Sequence, residues 1–276
     1  EAGKLIEAAG HYREALKVDP GYAEAWNNLG LVLADRDEKA EAEAAFLKAI
    51  DIDPRLSEAL ANLGNLLAGQ DRPAAARDRF EQALGIDPGQ PEVLNDLALA
   101  LKDLGDWESA RQHCLKALDL GAGYTEAWVN LGHVLYKLRL FVQAEKAYRK
   151  AFHLRPDYAE KRELILALGL TLSRQNRPDE AIPHLRRAFD MAPDDPIATA
   201  NLFFQYQRTL DWNGMEELAS RMDQQTRTIL EEENDPAAAA DKHLGETQFI
   251  NISRSDDAAL NLAVARYWSR EEEREA

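Results

Sequence analysis

The chain has 276 residues, 45% of them hydrophobic and 30% charged, which excludes a disordered or fibrous composition. No stretch reaches the ~18 uncharged apolar residues of a membrane span, and the single cysteine, Cys114, excludes an internal disulfide framework and fits a reducing, cytoplasmic compartment. A formal net charge of −16 argues against nucleic acid or anionic lipid as the main partner, since both select a basic footprint; a neutral or basic polypeptide fits better.

The chain starts at Glu1-Ala2-Gly3, neither a methionine nor a signal peptide. Residues 1–22 then carry a helical run to Val18 followed by Pro20, which reads as the second half of a unit whose first half lies outside the sequence. Pro54, Pro88 and Pro156 continue the register of Pro20 at steps of 34, with Ala122 in the vacant place. Between the prolines one pattern returns: Trp26-Leu29-Gly30-Leu33 with Ala42, Phe46 and Ala49, then Leu60-Leu63-Gly64-Leu67 with Ala76, Phe80 and Ala83. Leu94-Leu97-Ala98-Leu101 and Trp128-Leu131-Gly132-Leu135 repeat it. Counted from three residues before the Trp/Leu position, the full units are 23–56, 57–90, 91–124 and 125–158. A fifth, 162–195, starts after three extra residues, Ala159, Glu160 and Lys161.

Within each unit of 34 slots, slots 4, 7, 8 and 11 share one face of a first helix, and slots 20, 24 and 27 one face of a second. Small residues at slots 8 and 20 predict a close approach of the two backbones. Gly30, Gly64, Ala98, Gly132 and Gly169 hold slot 8, where glycine costs a helix ~1 kcal/mol and so implies a packing reason. In the N-terminal half-unit Ala8, Tyr12 and Ala15 occupy slots 20, 24 and 27. Pro73 and Pro178 suit a first helical turn, whereas Pro183 lies deeper and predicts a kink or an outward bend.

A fixed period with large, small and breaker residues in fixed places resembles the tetratricopeptide repeat. The resemblance implies an all-α, right-handed superhelix of antiparallel helix pairs, an α-solenoid, with five full repeats over 23–195. Residues 196–230 form a degenerate terminal repeat, with Phe203 at slot 8 and Met215 at slot 20. Residues 231–276 read as an acidic linker followed by a helix over 256–270, whose Leu260, Leu262, Val264, Tyr267 and Trp268 predict packing on a neighbour or weak self-association.

Two stretches resemble a narrower family. Leu210-Asp211-Trp212-Asn213-Gly214-Met215 is similar to the last repeats of O-GlcNAc-transferase-like proteins. Ser255-Asp256-Asp257 with Leu260, Leu262-Ala263, Ala265-Arg266 and Trp268-Ser269-Arg270 is similar to the helix before the catalytic domain in their bacterial relatives. That resemblance implies a superhelix that recruits extended segments of acceptor proteins for a nucleotide-sugar-dependent glycosyltransferase domain of the same parent chain. No alternation of strands and helices and no glycine-rich phosphate loop stands in this chain, so it would itself be non-catalytic. His11, His113, His133, His153, His184 and His243 are scattered without metal-ligand spacing, and no catalytic, cofactor or metal site is expected.

Slot 6 lies opposite the 4/7/8/11 stripe and holds Asn28, Asn62, Asp96, Asn130, Ala167 and Asn201. Side-chain amides at equivalent positions can donate to and accept from the backbone of an extended peptide. The transferase resemblance implies such an asparagine ladder on the concave face, here Asn28, Asn62, Asn130 and Asn201, with Asp96 keeping only the acceptor. The alternative is that these amides bond the neighbouring repeat. Glu24, Glu58, Glu92, Glu126 and Glu163 recur at slot 2, where a carboxylate also suits the positive end of a helix. His133, Tyr136, Lys137, Arg174 and Arg208 suggest a groove mouth near the C-terminal end. The rival to a transferase fragment is a stand-alone adaptor that assembles other proteins.

Overall fold

The computed structural model describes residues 2–216 together with 218, 219, 222 and 227; the linker and helix read over 231–276 lie outside the described residues. Helices follow one another without a strand among these residues. They are α1 (Ala2–Val18), α2 (Ala23–Asp35), α3 (Lys39–Ile52), α4 (Ser57–Ala68), α5 (Pro73–Ile86), α6 (Pro91–Asp103) and α7 (Trp107–Leu120). Then come α8 (Thr125–Lys137), α9 (Phe141–Leu154), a 3-10 turn over Pro156–Glu160, α10 (Arg162–Arg174), α11 (Pro178–Met191) and α12 (Pro196–Thr209). The even-numbered helices are the first helices of the units and the odd-numbered ones the second. The three extra residues before the fifth unit are absorbed by the 3-10 turn.

The chain divides into two units, Glu1–Leu154 and Arg155–Ala276. In the former, α2 packs on α3, α4 on α5, α6 on α7 and α8 on α9, and each first helix also packs on the second helix before it. Successive first helices touch as well, α2 with α4, α4 with α6 and α6 with α8, which sets them on the inner side of the stack. In the latter, α10 packs on α11 and α11 on α12.

The core follows the repeat. Leu29, Leu33, Leu63, Leu67, Leu97, Leu131 and Leu135 from the first helices meet Ala42, Phe46, Ala49, Ala76, Phe80, Ala83, Cys114 and Tyr148 from the second, all buried. Slot 8 is small because it faces the slot 24 side chain of the second helix. A Cβ on Gly30 would stand 2.6 Å from the Phe46 ring, and on Gly64 or Gly132 2.5 Å from the rings of Phe80 or Tyr148. The glycine therefore seats the flat face of slot 24. Where slot 8 gains a methyl, as Ala98, slot 24 shrinks to Cys114, so the pair conserves volume. In the last unit the relation is inverted. Phe203 fills slot 8, buried, and the glycine passes to the second helix, where a Cβ on Gly214 would stand 2.6 Å from the Tyr206 ring.

Each first helix ends alike. The residue at slot 15 takes a left-handed conformation: Asp37, Asp71, Gly105, Arg139, Asn176 and Leu210, with φ between 57° and 78°. The next N–H reaches back five residues, Glu38 to Leu33, Arg72 to Leu67, Asp106 to Leu101, Leu140 to Leu135, Arg177 to Leu172 and Asp211 to Tyr206. The left-handed residue's own N–H bonds the carbonyl three before it. Together these are a Schellman close, which satisfies the helix's last carbonyls and turns the chain into the second helix. Only one of the six positions is glycine.

One feature departs from the sequence reading. In α1 the 20/24/27 stripe is not a core: Ala8 and Tyr12 are half-buried and Ala15 is exposed, while Ala9 and Leu16 are buried against α2. In each full unit from 23 to 195 that stripe is buried against the unit's own first helix. Pro183, expected to kink its helix or bend it outward, sits inside an unbroken α11 and is exposed to solvent.

Candidate functional site

On every first helix, slots 2, 6, 9 and 13 fall on one stripe opposite the core. In the Glu1–Leu154 unit this stripe reads Glu24-Asn28-Leu31-Asp35 on α2 and Glu58-Asn62-Asn65-Gly69 on α4. It reads Glu92-Asp96-Leu99-Asp103 on α6 and Glu126-Asn130-His133-Lys137 on α8, and all of these are exposed or half-buried. Because the four helices touch in sequence, the structure brings Asn28, Asn62, Asp96 and Asn130 onto one face. Asn201 stands on α12, in the other unit, where its Nδ2 donates to the Ile197 carbonyl at 2.8 Å; Ala167 contributes no amide.

Two of the slot 6 amides are anchored between repeats. Asn62 Nδ2 donates to Asn27 Oδ1 at 2.9 Å, and Asn130 Nδ2 donates to Asn95 Oδ1 at 2.8 Å. Asn27 and Asn95 are slot 5 residues of the preceding units, only 2% and 3% exposed. Asn95 in turn donates to Asp96 at 3.5 Å. Burial raises the Asp96 pKa, against hydrogen bonds from Asn95 and Asn65 that lower it. Inter-repeat bonding and an available amide thus coexist: each anchored asparagine spends one N–H on its neighbour and keeps Oδ1 and the second N–H. Among the described residues no group bonds the Asn28 amide. The slot 5 partners carried a signal in the sequence, asparagine in the first and third units against Ala61 and Val129 in the second and fourth.

Three of the residues read as a groove mouth, His133, Lys137 and Arg208, lie against aromatic rings. His133 meets the Tyr148 ring edge-on, 5.4 Å between centroids, and burial with Lys102 nearby pushes its pKa down to about 4. Lys137 lies over the Trp107 ring at 5.6 Å and Arg208 over Phe204 at 5.7 Å. Burial pushes the Cys114 thiol up to about 12, which makes it a core side chain rather than a nucleophile. Among the described residues no cluster of His, Cys, Asp and Glu could hold a metal, and no helix is long and apolar enough to cross a membrane.

Family models described as tetratricopeptide repeat match residues 1–57, 67–119 and 123–194. No curated protein matches the chain. Among solved structures the chain is similar to YrrB, described as a TPR protein with an unusual peptide-binding site, at 23% identity and a TM-score of 0.60 over 69% of this chain and 96% of that one. It is similar to PilF of Pseudomonas aeruginosa at 20% identity and a TM-score of 0.63, covering 78% and 96% of the two chains. It is also similar to the Cut9–Hcn1 hetero-tetramer of APC/C at 16% identity and a TM-score of 0.65, covering 87% of this chain and 45% of that one. At these identities the likeness is one of fold. With the period, the paired helices and the matched repeats in agreement, the chain belongs to the tetratricopeptide-repeat proteins.

Proposed function

We propose that this chain is a protein-binding adaptor that holds an extended polypeptide across the inner face of α2, α4, α6 and α8. The observation that carries this reading is the row of slot 6 side chains on adjacent helices, Asn28, Asn62, Asp96 and Asn130, of which Asn62 and Asn130 are held by the preceding unit with hydrogen-bonding groups to spare. Anchoring matters energetically. An amide already held by Asn27 or Asn95 loses little rotamer freedom when a peptide arrives, so more of its hydrogen bond becomes binding. The peptide-binding site named for YrrB supports the class of function without fixing a ligand. Nuclear magnetic resonance tests the reading: titration with a binding peptide should shift the side-chain amide signals of Asn28, Asn62 and Asn130. Shifts confined to the second helices would remove it.

A narrower reading rests on the sequence of 210–215 and 255–270, which resembles O-GlcNAc-transferase-like proteins. On it, the bound segment is an acceptor awaiting glycosylation. A parent reading frame that continues past Ala276 into a nucleotide-sugar-binding domain would support this; one that stops there would leave the adaptor.

A further inference from the structure

The charges of the Glu1–Leu154 unit are sorted by helix. Helices α2 and α4 contain no lysine or arginine, and α6 and α8 have one each, Lys102 and Lys137, in their last turns. On the second helices carboxylates and cations neutralise one another: Glu14 with Lys17 at 2.6 Å, Glu41 with Arg13 at 3.1 Å, Asp51 with Lys48 at 3.0 Å, Glu145 with Arg149 at 2.8 Å. Glu43 is met by Arg72 at 2.9 Å. On the inner stripe, among the described residues, no cation lies within 4 Å of Glu24, Glu58 or Glu92. Beside these carboxylates run the amides and two apolar steps, Leu31, 38% exposed, and the half-buried Leu99.

We infer that the partner held on this face is an extended basic segment, with a lysine or arginine about every third residue meeting successive slot 2 glutamates. The inference rests on the proposed peptide-binding role of the face. Helices in contact lie about 8–10 Å apart axis to axis, and a chain in the extended polyproline II form advances about 3.1 Å per residue with three residues per turn, so about three residues span each step between first helices and every third side chain points the same way. One residue of each three reaches the carboxylate, the backbone meets the slot 6 amide, and the apolar steps take an aliphatic side chain.

The test uses fluorescence anisotropy with a labelled peptide of four Lys-Val-Thr triplets and its Gln-Val-Thr and Glu-Val-Thr counterparts, at low ionic strength. The lysine peptide should bind about tenfold more tightly than the glutamine peptide, and the glutamate peptide least. The triple variant Glu24→Gln, Glu58→Gln, Glu92→Gln should remove that tenfold and leave the glutamine peptide unchanged. An outer triple of equal charge change, Glu14→Gln, Asp51→Asn, Asp119→Asn, should leave the preference in place. Lysines moved to alternate positions should bind less well than the triplet register. Equal loss in the two triples, or equal binding of all three peptides, would overturn the basic-segment inference while leaving the peptide-binding face. Absence of binding by every peptide, with Asn62 and Asn130 amide signals unmoved, would overturn both.

Discussion

At the scale of single residues the fold rests on reciprocal fits. Ala98 and Cys114 show that slots 8 and 24 vary together, so their energies should not add. Cys114→Phe alone overpacks the third unit and should cost about 1–3 kcal/mol. Ala98→Gly alone should cost about 1 kcal/mol in helix propensity. The double variant recreates the pair seen at Gly30 and Phe46, and urea denaturation should show it more stable than Cys114→Phe, with a coupling of about 1–3 kcal/mol. The slot 15 turns give a second expectation. Arg139 and Leu210 hold left-handed backbone without the excuse of glycine or asparagine, so Arg139→Gly should raise stability by about 0.5–1 kcal/mol, read as a higher Tm. His133 supplies a pH dependence. Its folded pKa, about 4, lies below the ordinary 6.5, so its neutral form contributes fully above pH 6.5 and that stability is lost as the pH falls toward 4. Burial and Lys116 lower His113 in the same direction. His133→Gln should therefore lose less stability between pH 7 and pH 4.5 than the parent chain, by up to about 2 kcal/mol.

At the scale of helices, the asparagine pairs tie one unit to the next. Asn27→Ala should cost about 1 kcal/mol and free Asn62, weakening peptide binding although residue 27 is itself buried. Calorimetry on Asn27→Ala, Asn62→Ala and the double variant would show non-additive binding losses; fully additive losses would mean that Asn27 does not hold Asn62 for the ligand. Much of this was legible in the sequence. The 34-residue period places both helices of each unit, because slots 4, 8, 11, 20, 24 and 27 must alternate large and small to interdigitate. The slot 6 face follows from angle alone. The slot 5 anchors were passed over although their alternation stands in the sequence, because an asparagine facing sideways between helices breaks neither the apolar stripe nor the polar one. The left-handed turns were hidden too, since Asp37, Asp71, Arg139, Asn176 and Leu210 announce no positive φ as a run of glycines would. The uncovered face of α1 is invisible to periodicity, which assigns a stripe without asking what covers it.

At the scale of the whole molecule, units that touch only their neighbours melt as linked segments rather than as one body. A methyl at Gly64 would press on the buried Phe80 ring and should loosen the second unit by about 1–3 kcal/mol. Hydrogen exchange in Gly64→Ala should accelerate most in α4 and α5, less in α2, α3 and α6, and least in α8 and α9. Uniform acceleration from α2 to α9 would show a single cooperative body instead.

The alternation of the asparagine pairs reaches beyond stability. Asn27 and Asn95 stand two units apart, as do Asn62 and Asn130, and each pairing joins an odd unit to the even one after it. Duplicating an even unit alone would set an Asn62-type amide beside an Ala61-type neighbour and leave it without its lock. Duplicating two together preserves every lock. Lengthening without loosening the inner face therefore constrains which unit is copied: an odd unit or a pair keeps the locks, and an even unit copied alone loses one.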